Sequence, residues 1–396
     1  VQVELGDFGV SVDLSDASVV ASRRAPAALD VADFGAAVQA AMEQPQNFPP
    51  LRRALTPDDH IAVVIDEQLP QLGLMVGRVI EYLREAGINP TAITLVSAAG
   101  SRQKWVEDLP DSAQDVRTEI HDAADRKAVA YLASTRAGRR VYLNRTVVEA
   151  DQTVILTGCR YDPALGIIDG AGALFPALSD AETQRSTAGV PSLAAGPETG
   201  LHAEATEIAW LLGVPFMVQV VEGSGENAAH VVGGTVESIS DVRRLLQDRW
   251  RIKFDRPAQT VVATMTGDPL RHDFESLSRA ALSAARIVEP GGRIILLTRA
   301  NPALGEAGDT IRGTDNVGQA IRRVKEGQPT EHAAALQWLE AAKHASLYLL
   351  SDLPDETVEE LFATPLQHAR QAQRLLDTAE SCLFLNDAHK ALAVVG

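Results

Sequence analysis

"HIAVVIDEQLPQLGLMVGRVIEYLREAGINPTAITLVS", His60 to Ser97, sets two short apolar runs on either side of one amphipathic stretch. His60–Asp66 reads as a buried strand, because its β-branched residues follow one another without polar interruption. From Gly73 to Glu85 the residues Leu74, Val76, Val79, Ile80 and Leu83 recur at helical spacing, and Thr91–Ser97 is the next strand. Strand, helix and strand in that order make a parallel pair with a right-handed crossover.

The same grammar runs outward. "RVYLNRTVVEADQTVILTG" reads as two strands around an acidic turn, His202–Leu212 as a helix and Pro215–Val221 as a strand. Ser240–Trp250 is a helix capped by Ser or Asp. A second run begins near Thr260 with "TVVATMTG", the helix Asp273–Val288 and "RIILLTRA" after an "EPGG" turn. The helix Glu331–His344, "SLYLLSD", two further helices and the closing strand "CLFLN" complete it. The expected class is α/β, two domains with Rossmann-like parallel sheets and an interdomain cleft. With 396 residues the chain exceeds one ordinary core, and Gln247–Thr260 carries the boundary, giving domains 1–255 and 256–396.

Composition narrows the function. A hydrophobic share of 45% and a charged share of 22% belong to a globular protein, with no apolar run long enough to span a bilayer. The first residues show no secretory leader, so a cytoplasmic location is expected. A net charge of −17 without a basic patch argues against a nucleic-acid partner. Cys159 and Cys382 make neither a disulfide framework nor a cysteine zinc site, and the nine histidines lack metal-ligand spacing.

In open α/β sheets ligands sit beyond the carboxyl ends of strands, so four exits matter. After Ile65, Asp66 either accepts from a ligand or caps the following helix. After Val96, "SAAGSRQKW" brings small residues with Arg102 and Lys104; Arg102 recognises a planar anion or is a solvated surface side chain. After Leu156, "TGCRYDPALGIIDGAGALFP" carries Asp162 as an acid/base candidate and Asp169 as an Asx-turn residue, in a glycine spacing foreign to both nucleotide motifs. After Met265, "TGDPLRHDFESLSRAA" places Asp273, Glu275, Ser276 and Arg279 at a helix start, where free N–H groups favour anions. His272 beside them reads as a surface or capping residue.

The order of these exits resembles the lactate racemase family, whose enzymes use a nickel-pincer nucleotide, over nearly the whole chain. "QNFPPLRRALTPDDHIAVVIDEQLP" is similar to the family's lead-in, strand and Asp-x-Thr-Arg-Pro loop. "IHDAADRKAVAYLASTRAGRRVYLNRTVVEADQTVILTG", "EIAWLLGVPFMVQVVEGSGENAAHVVGGTVESI" and "TGDPLRHDFESLSRAA…EPGGRIILLTRANPALG" resemble successive later segments. In the family a Lys bears the cofactor, a His completes the nickel coordination, two His exchange the hydroxyl proton, and an Arg and a Lys hold the substrate.

Here Asp66 and Pro70 match the family's loop but Leu69 stands at its arginine, and Arg102 stands at the first catalytic His. Asp162 replaces the second His and Gly172 the cofactor Lys, while the nickel His falls near Ser186 or Thr187. The C-terminal Tyr-Gln-x-x-Lys reads Glu275, Ser276 and Arg279. The resemblance therefore implies a divergent member that uses no cofactor and takes a small anionic ligand, an organic acid or phosphate. Arg102 and Arg279 clamp that anion, Asp162 is the acid/base, and Asp66, Glu275 and Ser276 orient the ligand. If the protein is an enzyme, the resemblance implies an isomerase acting on a 2-hydroxy acid. Two alternatives stand: a nickel-pincer-dependent racemase or epimerase with a rebuilt site, drawing on His202 or His272, and a non-catalytic pseudoenzyme.

Overall fold

A computed structural model describes residues 31–98, 101, 103–162, 166–187, 200–327, 329 and 331–396. In its first part lie β1 (Ile61–Ile65), β2 (Ile93–Ser97), β3 (Arg117–Ile120), β4 (Val129–Ser134), β5 (Arg140–Asn144), β6 (Gln152–Gly158), β7 (Arg160–Asp162), β8 (Gly166–Ile168), β9 (Phe216–Glu222) and β10 (Ala228–Gly234). In the second lie β11 (Arg251–Phe254), β12 (Ala258–Thr264), β13 (Val288–Leu297), β14 (Ser346–Leu350), β15 (Ala363–Pro365), β16 (Cys382–Leu385) and β17 (Leu392–Val395). The first main sheet has the order β10-β9-β6-β1-β2-β3, parallel except between β9 and β10. The second, β15-β14-β13-β12-β16, is parallel throughout.

Burial on both faces explains the uninterrupted apolar strands. Along β1, Ile61, Val63 and Ile65 enter one core while Ala62 and Val64 enter another across the sheet. In β12, Val261 and Ala263 face one core and Val262 the opposite one. Successive side chains point to opposite faces, so a strand covered on both sides must be apolar at every position. The helix Leu72–Glu85 buries Met75, Val76, Val79, Ile80 and Leu83 on one stripe, and Gly87, at φ 97°, turns the chain out of it.

Three local expectations are corrected. "VVEA" is no acidic turn between main-sheet strands: Arg145–Glu149 is a short helix capped by Asn144, whose side chain accepts from Val147 N. β5 pairs with β4 as an antiparallel hairpin outside the main sheet, and its Leu143 also bridges Ser179. "CLFLN" does not close the chain, because β17 follows and pairs in parallel with β11, inside the stretch read as the boundary. Trp250, Phe254 and Leu392 there join Cys159, Tyr161 and Val221 in one core with Val261 and Ala263, so apolar packing is continuous between the two sheets.

Strand register sets the site. Ile65 lies opposite both Ser97 and Leu156, and Gly158 opposite Val220, which brings the carboxyl ends of β1, β2, β6 and β9 to one rim. Ala263 lies opposite Leu385, which places the exits of β12 and β16 side by side on the second sheet.

Candidate functional site

At the first rim, Asp66 is fully engaged by its own sheet. Its Oδ2 accepts from Arg160 at 2.7 Å, from Gly158 N at 3.0 Å and from Thr157 Oγ1 at 3.3 Å, and its Oδ1 from Gln68 N at 3.1 Å. Burial alone raises this carboxyl; the Arg160 guanidinium and the two amides outweigh it and hold it below its ordinary value. The Gln68 bond closes an Asx turn, and no Asp66 side-chain bond caps the following helix.

Gln68 reaches across to the second sheet. Its amide nitrogen donates to Asp273 Oδ2 at 3.0 Å, and its side-chain oxygen accepts from Arg279 at 3.0 Å. Asp273 caps the helix Phe274–Ala285, accepting from Ser276 N at 2.8 Å and Ser276 Oγ at 2.7 Å. Arg279 sits one turn on, 4% exposed, and also donates to Ser276 Oγ at 3.2 Å and to Glu275 at 3.5 Å. Its Nε has no protein partner.

The loop after β9 meets the exits of β12 and β16. Glu222 lies 3.2 Å from Lys390 Nζ and 3.5 Å from Arg271. Burial opposes its ionisation, but Lys390, Arg271 and Arg160 hold its carboxyl below the ordinary value. Arg271 also bonds Glu226 and the Gln68 carbonyl, and its Nε is unpartnered. Lys390 donates to the carbonyls of Gly223 at 3.0 Å and Gly225 at 2.6 Å. Asp387 accepts from Thr266 N at 2.9 Å, Thr266 Oγ1 at 2.7 Å and Gly225 N at 3.2 Å. Gly267, at φ 102°, lets this loop pass Glu226, against whose carboxylate a β-carbon would collide.

These side chains surround a small cavity between the sheets. Gln68, Glu222 and Glu226 come from the first; Arg271, His272, Ser276, Arg279, His389 and Lys390 come from the second. His272, 5% exposed, meets His389 edge to face with ring centroids 5.0 Å apart, and neither Nδ1 has a hydrogen-bond partner. Burial, then Lys390 and Arg271, lower the His272 pKa against the pull of Glu226 and Asp387. Burial and the cations Lys390, Arg279 and Arg271, with His272, put His389 well below the ordinary value. Both rings are neutral at pH 7. Arg271, Arg279 and Lys390 line the cavity with Glu222 and Glu226, while Glu275 pairs with Arg279 at 3.5 Å and Asp387 acts on the His272 ring.

The other residues singled out in the sequence lie around this cavity or outside the described part. Arg102 is outside the described residues, as is the Lys104 side chain. Asp162 is buried in β7, close enough to Glu275 and Arg286 to act on their charges. Glu275 keeps 41% of its side chain open within a crowded cleft; withdrawal from water, with Asp273 and Asp162 adding repulsion against Arg279, pushes its pKa up to about 7. Asp169 is the N-cap of Gly170–Leu174, accepting from Ala171 N at 3.1 Å and Gly172 N at 3.3 Å, and its other oxygen is 3.2 Å from His202 and 3.3 Å from Arg243.

Arg271, Glu222, Glu226, His389 and Lys390 had no place in the sequence reading. The exits after β9, "EGSGEN", and β16, "NDAHK", carry them, and the rule used for the other four exits applies equally to these.

Comparison with known proteins places this architecture. Residues 5–188 match the sequence model of the lactate racemase N-terminal domain. Among curated proteins no sequence matches. The lactate racemase apoprotein of Thermoanaerobacterium thermosaccharolyticum superposes with a TM-score of 0.75 at 15% identity, covering 99% of each chain. A protein of Thermotoga maritima superposes with a TM-score of 0.70 at 12% identity, covering 94% of this chain and all of the other. At such identities the likeness is one of fold, and it spans both sheets. No described helix is long and apolar enough to cross a membrane.

Proposed function

We propose that this lactate-racemase-like chain binds a small organic acid in the cavity between its sheets and works without the nickel-pincer nucleotide. The observation that carries the reading is the convergence of buried Arg279 and Lys390 with half-buried Arg271 on one cavity, with unpartnered Nε atoms on both arginines. A guanidinium with a free N–H in a low-dielectric wall is a strong carboxylate partner. Arg279 is the cation that the C-terminal helix start led us to expect; Arg271 and Lys390 accompany it from the same sheet unit.

The residues at the family's cofactor position do not fit the group. Attachment needs a lysine, and Gly172 stands there. Two residues earlier in the same short helix, Gly170 packs against Met217 Sδ. A nickel pincer needs an imidazole as its protein donor. His202, the nearest along the chain, lies 3.2 Å from Asp169 Oδ2, and residues 188–199 contain no His, Cys or Lys. The Cys159 thiol is pushed far up by burial and stays protonated. Among the described residues no three His, Cys, Asp or Glu side chains are grouped to hold a metal ion. Racemisation of a 2-hydroxy acid by hydride transfer then has no acceptor among the protein side chains.

The test is to produce the protein together with the pincer-nucleotide biosynthetic enzymes. Nickel and nucleotide content are then measured, and the protein is titrated with lactate, malate, pyruvate and inorganic phosphate. The reading expects neither nickel nor nucleotide, and saturable binding of a carboxylate. Near-stoichiometric nickel, or no binding of any anion, would overturn it.

A further inference from the structure

We infer that His272 and His389 form a proton-transfer pair acting on a short 2-oxo acid bound in the inter-sheet cavity, so that the chain enolises its ligand. The inference rests on the anion-binding reading above and deepens it.

Both rings line the same cavity as the three cations, and they touch edge to face at 5.0 Å between centroids. Each keeps an Nδ1 without a protein partner, although His272 is 95% buried by its 5% exposure. A buried imidazole left with a free nitrogen is costly for a merely structural residue and normal for one that meets a ligand. The charged groups facing the pair are Lys390, Arg271 and Arg279 on one side and Glu226 and Asp387 on the other. Burial first, then the cations, keep both rings uncharged at neutral pH, which is the form that accepts a proton.

The chemistry of the lining selects the substrate class. Removing a hydroxyl proton leads nowhere without a hydride acceptor, and a C–H beside a bare carboxylate is too weak an acid for imidazole. A C–H next to a ketone is acidic enough, provided that the developing enolate oxygen meets a positive charge. In a 2-oxo acid the carboxylate pairs with one cation and the ketone oxygen with another. The C3–H bond breaks, and its electron pair forms the C2–C3 double bond as charge moves to the C2 oxygen. The proton passes to an imidazole nitrogen. Return of a proton from the imidazolium restores the ketone, and nothing is oxidised or reduced.

The experiment follows pyruvate and 2-oxoglutarate by proton NMR in D2O at neutral pD, with binding measured by calorimetry on the same samples. Loss of C3–H signal is expected at a rate at least tenfold over the protein-free control. His389→Gln and His272→Gln each should cut that rate at least tenfold while binding and melting temperature stay near wild type. If one glutamine variant fails to fold, the other decides. Binding without exchange, or exchange at the wild-type rate in both variants, would overturn the His pair while leaving the anion site standing. Absence of binding would remove both.

Discussion

Asp66 and Arg160 illustrate how the residue scale governs the rim. Their side chains are 9% and 14% exposed and meet at 2.7 Å, so neither has water as a substitute partner. Removing one member of such a pair strands the other's charge. Arg160→Ala should therefore destabilise the protein by about 3–5 kcal/mol, measured by denaturant unfolding; a loss under about 1 kcal/mol would show that Asp66 finds other compensation. The candidate residues were legible in the sequence as types at strand exits, but not as partners. Nothing along the chain joins Asp66 to Arg160, ninety-four residues away, or Gln68 to Arg279, 211 away. The histidine pair was illegible for the same reason: His272 looks isolated until β16 delivers His389 beside it.

Among the elements, the helix Phe274–Ala285 does most to fix the site. Its first turn holds the Asp273 cap, and the cap carboxylate also holds Gln68 of the first sheet. Asp273→Ala removes the cap and should cost about 1 kcal/mol by thermal or chemical denaturation. The same change should weaken anion binding, because Gln68 loses one of its two anchors. Unchanged affinity would mean that Gln68 is positioned by Arg279 alone. Strands were the most readable elements, since burial on both faces forces apolar residues at every position. Arg145–Glu149 was hidden because its two valines continue the neighbouring strand pattern, while Asn144 ends that strand by capping. β17 was missed because a four-residue strand pairing with a segment some 140 positions earlier has no local signature.

For the whole molecule, two sheets share a continuous apolar core, and the polar rim between them holds two neutral histidines. Both imidazoles have folded-state pKa values below the ordinary 6.5, so below that pH the unfolded chain binds protons that the folded one resists. The imidazole contribution is full above about pH 6.5 and is lost as the pH falls below it, whereas Glu275, raised to about 7, adds stability over the same fall in pH. The carboxylates Asp66 and Glu222, whose pKa values are lowered, release their contributions only at lower pH, below about 4. Thermal melts from pH 8 to pH 4 check this, and His389→Gln should flatten the upper part of the decline. Identical wild-type and His389→Gln profiles between pH 7 and pH 5 would contradict it. The most direct test of the anion site is calorimetric titration of wild type and Arg279→Gln with pyruvate at low salt. Saturable one-to-one binding, weakened about tenfold or more in a variant that is still folded at the titration temperature, is the result expected. Equal affinity in the two proteins would contradict the account.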